Sequence, residues 1–172
     1  MQPLACILSD DIEIIEKFKK ALECEIPIKN RKHGKVGKYQ IRDTSGLIIC
    51  NKRMSEDLLG KGLVPRKSLI LTFPDLNIVG QPLLSHFIRG YFDGDGCISV
   101  VQAEKRRHTK ACFVGSDKFI VALNCILNNA GITLKVYRSQ KRKITEIYCQ
   151  SKSELLKLKY FLYKDSSVFL RR

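Results

Sequence analysis

The strongest constraint on this chain is that it repeats itself. Ala5-Cys6-Ile7-Leu8-Ser9-Asp10-Asp11 lies 106 residues before Ala111-Cys112-Phe113-Val114-Gly115-Ser116-Asp117, and each run reads as a strand opening onto a helix of similar length. Further along, Ile48-Ile49-Cys50 followed by Ser55-Glu56-Asp57-Leu58 recurs as Ile147-Tyr148-Cys149 followed by Ser153-Glu154-Leu155-Leu156. A repeat of this size implies two related halves and a pseudo-twofold molecule. The halves are unequal, because a helix and a strand within residues 83–103 precede the second copy and have no counterpart before Leu4. Residues 1–80 then form an incomplete first repeat, and residues 81–172 a complete second one.

Hydrophobic periodicity assigns the elements. In the first half, Leu4 to Ser9 reads as a strand and Asp10 to Glu23 as a helix, capped by Asp10 or Asp11, with Ile12, Ile15, Phe18 and Leu22 on one side. Short strands are expected near Ile26 to Lys29, Tyr39 to Arg42 and Leu47 to Cys50, with Asp43-Thr44-Ser45-Gly46 as the turn between the last two. Met54 to Gly60 predicts a short helix, and Lys61 to Pro74 an irregular connection. In the second half, Pro82 sits at the first turn of an apolar helix, Leu83 to Phe92. Strands at Cys97 to Ala103 and Lys110 to Val114 follow, then a helix over Asp117 to Asn129. Strands at Thr133 to Arg138 and Lys143 to Cys149 precede a last helix, Ser151 to Tyr163.

Charge narrows the partner. The 172 residues hold 31 Lys plus Arg against 17 Asp plus Glu, net +14, and the excess is uneven: 14 basic and 10 acidic side chains up to residue 80, then 17 and 7. Three clusters, Lys29 to Lys38 (KNRKHGKVGK), Glu104 to Lys110 (EKRRHTK) and Arg138 to Lys143 (RSQKRK), each interrupt two strand-like runs. Each therefore crowns a hairpin. One basic hairpin is ordinary solvation; three of the same sign are better explained by a polyanion held through Lys and Arg contacts to phosphate.

With 44% hydrophobic residues the chain can bury a core. No stretch reaches the roughly 18 apolar residues of a membrane span, and Met1-Gln2-Pro3 does not begin a signal peptide. The expectation is a soluble protein, cytoplasmic or organellar. Its seven cysteines are an odd number, and no two are close enough in sequence for a zinc knuckle or a redox pair. Most lie in apolar runs, where a reduced thiol serves as a small buried hydrophobe, which favours a reducing compartment.

Phe87 to Ser99 carries the chemistry. Gly90 sits within the predicted helix, where it costs about 1 kcal/mol relative to Ala unless close packing needs it. At the helix end Asp93 and Asp95 alternate with glycine, which permits a sharp exit and a close approach of backbone to a ligand. Two carboxylates at the negative end of a helix dipole oppose each other, and a divalent cation removes the conflict. The spacing does not fit a calcium loop of the EF-hand kind, since the sixth residue from Asp93 is Ile98 and no Glu follows before Glu104.

Ile88 to Gly96 (IRGYFDGDG) closely resembles the signature of the LAGLIDADG homing endonucleases. Gly62-Leu63-Val64-Pro65-Arg66-Lys67-Ser68, the connection at Pro74, and Leu162-Tyr163-Lys164-Asp165-Ser166-Ser167 are similar to the linker and tail of the two-motif members. The resemblance implies an α+β fold of αββαββα repeats, with signature helices paired at the centre and a saddle of antiparallel strands over double-stranded DNA. It implies hydrolysis of phosphodiester bonds with Mg²⁺ or Mn²⁺ in the service of intron or intein homing.

By the same resemblance, Asp95 is the metal-binding acid and the Gly94 carbonyl a backbone ligand. Asp93 shapes the helix end, and Gly90 is the small residue at the helix–helix interface. Lys164 matches a basic residue near the metal, with Lys67 as its repeat counterpart, and Ser116 a polar position that holds water. Arg106, Arg107, Lys110, Lys141, Arg142 and Lys143 are expected at strand tips against phosphates, with Lys32 and Lys35 from the first half. Gln102, Lys135 and Arg138 are expected on the strand faces, within reach of base edges.

The family cuts each strand with its own signature helix, and this chain has one. A remnant of a two-motif enzyme, a missing segment supplied by another chain, or a homodimer through the Leu83–Phe92 helix each meets that shortfall. An unpaired face of Leu84, Phe87, Ile88 and Tyr91 is expected to drive the pairing. Two alternatives stand beside cleavage: a non-cleaving DNA- or RNA-binding module, as in intron maturases or a regulator, and an intein-associated endonuclease domain, although no splicing block is visible.

Overall fold

The computed structural model describes residues 4–65, 70–103, 106–139 and 144–167. It divides into two compact units, one within the residues up to Leu59 and one over Gly60–Ser167.

The first unit contains β1 (Leu4–Ser9), α1 (Ile12–Ala21), β2 (Lys29–Arg31), the two-residue strands β3 (Lys35–Val36) and β4 (Tyr39–Gln40), β5 (Thr44–Cys50) and α2 (Lys52–Gly60). Its sheet runs β1-β5-β2, antiparallel throughout, with β3–β4 a separate ribbon. Asp11 caps α1 by accepting from the Glu13 N–H, while Asp10 is drawn off to Arg42. Ile15, Leu47 and Ile49 form the buried core. The turn expected over Asp43 to Gly46 is instead the start of β5. Thr44, Ser45 and Gly46 pair with β2 on one side, and Ser45 and Gly46 with β1 on the other. A side chain at Gly46 would collide with Leu8, so the glycine serves strand packing and not a bend.

The second unit contains α3 (Leu76–Val79), a 3₁₀ turn at Gln81–Leu83, α4 (Leu84–Asp95), β6 (Cys97–Ala103), β7 (Arg106–Gly115), α5 (Asp117–Asn129), β8 (Lys135–Ser139), β9 (Ile144–Cys149) and α6 (Lys152–Tyr163). The four-stranded antiparallel sheet runs β6-β7-β9-β8. Ser116 and Ser151 cap α5 and α6 through the N–H groups of Phe119 and Glu154. Ala111, Phe113, Ile147 and Cys149 face the helices and pack with Ile88, Phe92, Phe119, Ile120, Leu123, Leu127, Leu158 and Leu162.

The repeat is exact in register. Ala5 pairs with Ile49 as Ala111 pairs with Cys149, and the match holds through Ser9–Ser45 and Gly115–Thr145. Asn30–Ser45 likewise matches Arg138–Thr145. The offset is 106 in the first strand, as the sequence indicated, but Ile49 is equivalent to Cys149, one residue away from the alignment of Cys50 with Cys149. Parity decides it: Cys149 faces the core, whereas Cys50 is exposed. Among the described residues, α4 and β6 have no counterpart in the first unit.

The signature helix runs further than its apolar pattern, through Asp93-Gly94-Asp95, and Gly96 closes it with its N–H on the Phe92 carbonyl. Leu84 and Ile88 are core residues, and Tyr91 is half-buried. The expected unpaired face of Leu84, Phe87, Ile88 and Tyr91 is therefore packed within its own unit. What α4 leaves open is Gly90 and Gly94, where an added Cβ would meet no atom within 4 Å, and Leu83 is exposed just before the helix starts.

The cysteines also depart from expectation. Only Cys112 and Cys149 are buried, while Cys6, Cys50, Cys97 and Cys125 are exposed. An apolar run in a strand has two faces, and one of them is not core.

Candidate nucleic-acid interface and carboxylate site

The site begins at the C-terminus of α4, where two aspartates one turn-step apart meet different surroundings. Asp93 is half-buried and accepts a hydrogen bond from the Tyr163 hydroxyl of α6 at 2.6 Å. Asp95 is exposed, and no hydrogen bond or ion pair engages it among the described residues. Gly94 lies in the last turn, whose carbonyls have no following helical N–H to meet them. The end of α4 is fixed from below. Buried Arg89 donates to the Leu162 carbonyl at 3.2 Å and lies 2.8 Å from His86 Nδ1. The Tyr91 hydroxyl donates to the Val114 carbonyl at 2.8 Å. Burial, and then the charge of Asp95, push the Tyr91 phenol up to about 12, so it remains a neutral donor.

Lys164 follows Tyr163 and so reaches the same end of the unit. Its ammonium turns to Asp165, 3.8 Å away, and over the Tyr160 ring, not to Asp95. Lys67, Lys141, Arg142 and Lys143 lie outside the described residues. Ser116 holds no open polar position: it caps α5 and donates its hydroxyl hydrogen to the Leu71 carbonyl.

Strand pairing sorts the basic residues by face. Residues opposite each other in a ladder share a face, and the face alternates along each strand. Ala111, Phe113, Ile147 and Cys149 define the helix-packed side. Cys97, Ser99, Val101, His108, Lys110, Cys112, Lys135, Tyr137, Glu146 and Tyr148 therefore lie on the other, helix-free side. Lys110 and Lys135 are on this open face. Arg107 with Gln102, and Arg138 with Thr145, fall on the helix side. Arg106 pairs with Ala103 at the β6–β7 tip. Lys32 and Lys35 are exposed around the β2 and β3 strands of the first unit.

Two of the cations are already engaged. Lys110 forms an ion pair with Glu146 and lies 4.4 Å over the Tyr148 ring. The Glu146 hydrogen bond raises the Lys110 pKa. Arg138 Nε donates to Asp117 Oδ1 at 3.0 Å, beside the Thr145 hydroxyl at 2.7 Å. The Thr145 bond, then Arg138, hold the Asp117 carboxyl below the usual carboxylate range. The described residues contain no group of three or more His, Cys, Asp or Glu able to hold a metal ion. No helix among them is long and apolar enough to cross a membrane.

Sequence reasoning missed Tyr163, Arg89 and Glu146. Arg89 left a signal, a charge inside an apolar helical run; Glu146 left none, because its meeting with Lys110 depends on how β7 and β9, distant in sequence, pair.

Residues 83–162 match the family model described as a LAGLIDADG-like domain. Over nearly its whole length the chain is similar in fold to two solved structures. One is the meganuclease I-SmaMI bound to uncleaveable DNA, at TM-score 0.59 and 10% identity over 95% of this chain and 74% of that one. The other is the LAGLIDADG homing endonuclease I-GzeII in complex with its DNA target, at TM-score 0.58 and 10% identity over 94% and 74%. A curated relative, named "probable translation initiation factor IF-2" of Thermococcus kodakarensis, is 29% identical over 134 residues, 77% of this chain. The chain spans 11% of that protein's length.

Proposed function

We propose that the chain, whose residues 83–162 match a LAGLIDADG-like domain and whose fold is that of LAGLIDADG homing endonucleases, binds double-stranded DNA across its open sheet face and hydrolyses phosphodiester bonds with a divalent metal. The carrying observation is the division of labour between Asp93, tied to Tyr163, and Asp95, exposed and unengaged immediately before β6.

The donor set fits the metal. Mg²⁺ is commonly held by one or two carboxylates together with waters and substrate phosphates, and Asp95 with the Gly94 carbonyl offers one carboxylate and one neutral oxygen at the favourable end of a helix dipole. A bound Mg²⁺ or Mn²⁺ supplies charge neutralisation at the phosphate and a more acidic water. The protein's part is positional. Tyr163 keeps Asp93 out of the site, Arg89 anchors α4 to α6, and Tyr91 holds the helix against β7. Lys110, Lys135 and the basic strand tips attract the duplex, and Lys164 adds positive charge at the same end.

Cutting both strands requires a second copy of the α4 site. The open Gly90 and Gly94 positions suit a homodimer in which a second α4 approaches closely, bringing two Asp95 carboxylates to one target. A second reading, in which the engaged Lys110 and Arg138 leave α4 without a cleavage role, is a binder of DNA or intron RNA that does not cleave.

Nicking of supercoiled plasmid in Mg²⁺ tests the proposal. Cleavage by the parent chain, lost in Asp95→Asn while duplex binding in Ca²⁺ persists, is the expected result. Binding without any metal-dependent nicking assigns the chain to the non-cleaving reading.

A further inference from the structure

Two cysteines 15 residues apart in sequence stand opposite each other on the open face of the second sheet. Cys97 opens β6, and Cys112 is its partner on β7. Opposed residues in an antiparallel pair have Cα atoms about 4.5 or 5.5 Å apart, and both spacings lie within the roughly 4.4–6.8 Å that a disulfide spans. The two thiols lie within electrostatic reach of each other. Among the described residues, strand pairing opposes no other two cysteines: Cys6 faces Ile48, Cys50 faces Leu4, and Cys149 faces Ala111 on the helix side.

The pair is asymmetric. β6 is the edge strand and Cys97 is exposed. Cys112 is buried, within electrostatic reach of Glu146 and Lys110, and burial followed by the charge of Glu146 pushes its thiol up to about 11. A soluble reagent therefore meets Cys97 first, and Cys112 meets what is attached to Cys97.

We propose that Cys97 and Cys112 form a thiol–disulfide exchange site, whose co-reactant is a small soluble disulfide such as oxidised glutathione and whose product is an intrachain Cys97–Cys112 bond. The Cys97 sulfur attacks one sulfur of the small disulfide, whose S–S bond breaks, and one small thiol leaves with a proton. The Cys112 sulfur then attacks the Cys97 sulfur of the mixed disulfide and expels the second small thiol. Both protein thiol protons end on the two released thiols, and two electrons pass from the protein to the oxidant. Held opposite each other, the sulfurs make the second step intramolecular, so a high Cys112 pKa slows it without letting an outside thiol compete. The new bond lies in the row that continues through Tyr148 and Lys135, and it tethers the strand that begins two residues after Asp95. Oxidation thus alters the face offered to a polyanion, whether or not the chain cleaves DNA.

Peptide mapping by mass spectrometry after incubation of the full chain with oxidised glutathione tests the site. The expected result is a Cys97–Cys112 cross-linked peptide in monomeric protein, reversed by dithiothreitol, with Cys112→Ser instead keeping a glutathione adduct on Cys97. A persistent adduct on Cys97 of the parent chain, cross-links through another cysteine, or unmodified thiols at both positions would each overturn the assignment. Because no DNA or metal enters the assay, its outcome is independent of the nuclease reading.

Discussion

At the residue scale, a charged side chain's role depends on what it already holds. Lys110 looks like a phosphate contact in sequence, but its ammonium is paired with Glu146 across the Tyr148 ring. An acidic partner beside a phosphate is unfavourable, so binding DNA at Lys110 must weaken or break this pair. Glu146→Gln keeps the side-chain size and removes the competing charge. We expect tighter duplex binding, with the slope of log affinity against log salt steeper by about 0.9, as one added phosphate contact requires. Fluorescence anisotropy at several salt concentrations measures it. An unchanged slope means that Lys110 makes no phosphate contact even when released. Asp93 and Asp95 teach the same lesson: two identical residues, one bound by Tyr163 and one unengaged.

At the element scale, the end of α4 is set by packing and not by helix propensity. Asp-Gly-Asp is poor helix sequence, yet the helix continues through it because Phe92 is buried and Tyr163 and Arg89 fix both sides of the last turns. Termination comes at Gly96, which is buried and where an added Cβ would overlap the Phe92 ring and carbonyl. Gly96→Ala should therefore destabilise the second unit by about 1–3 kcal/mol, the usual cost of forcing a methyl into filled space. Gly94→Ala meets open space and should not do so. Urea unfolding of the two variants compares them. Equal stability of the two variants would overturn the steric account of Gly96.

At the scale of the whole molecule, the question is what covers the open face of α4. Gly90 has no atom within 4 Å of a Cβ position, so Gly90→Leu should leave thermal unfolding of the isolated chain nearly unchanged. If two α4 helices cross there, the same substitution blocks their approach and shifts a dimer to monomer in sedimentation at micromolar concentration. A parent chain that sediments as a monomer would refute the dimer. The driving force is smaller than the sequence suggested, because Leu84 and Ile88 are spent on their own core and the exposed large apolar side chain beside α4 is Leu83, in the turn that precedes it. Close helix contact at glycine, through dispersion and not through bulk apolar burial, would have to hold such a pair.

The amino-acid sequence alone determined the order of elements from α4 to α6, the repeat, the uneven basic charge and the position of the signature helix, while β3 and α3 were not read from it. Each of these is written in local patterns of two to four residues or in self-similarity along the chain. Helices over Asp117–Asn129 and strands at Leu4–Ser9 and Cys97–Ala103 were legible to the residue. Only the tertiary structure decided which face each strand residue occupies. The side-chain period of a strand is two, so a one-residue change in pairing exchanges the faces, and pairing partners lie far apart in sequence. That is why Arg107 and Arg138 fall on the helix side while Lys110 and Lys135 do not. It is also why Cys50 and Cys149, alike in sequence, part company, and why Cys97 meets Cys112.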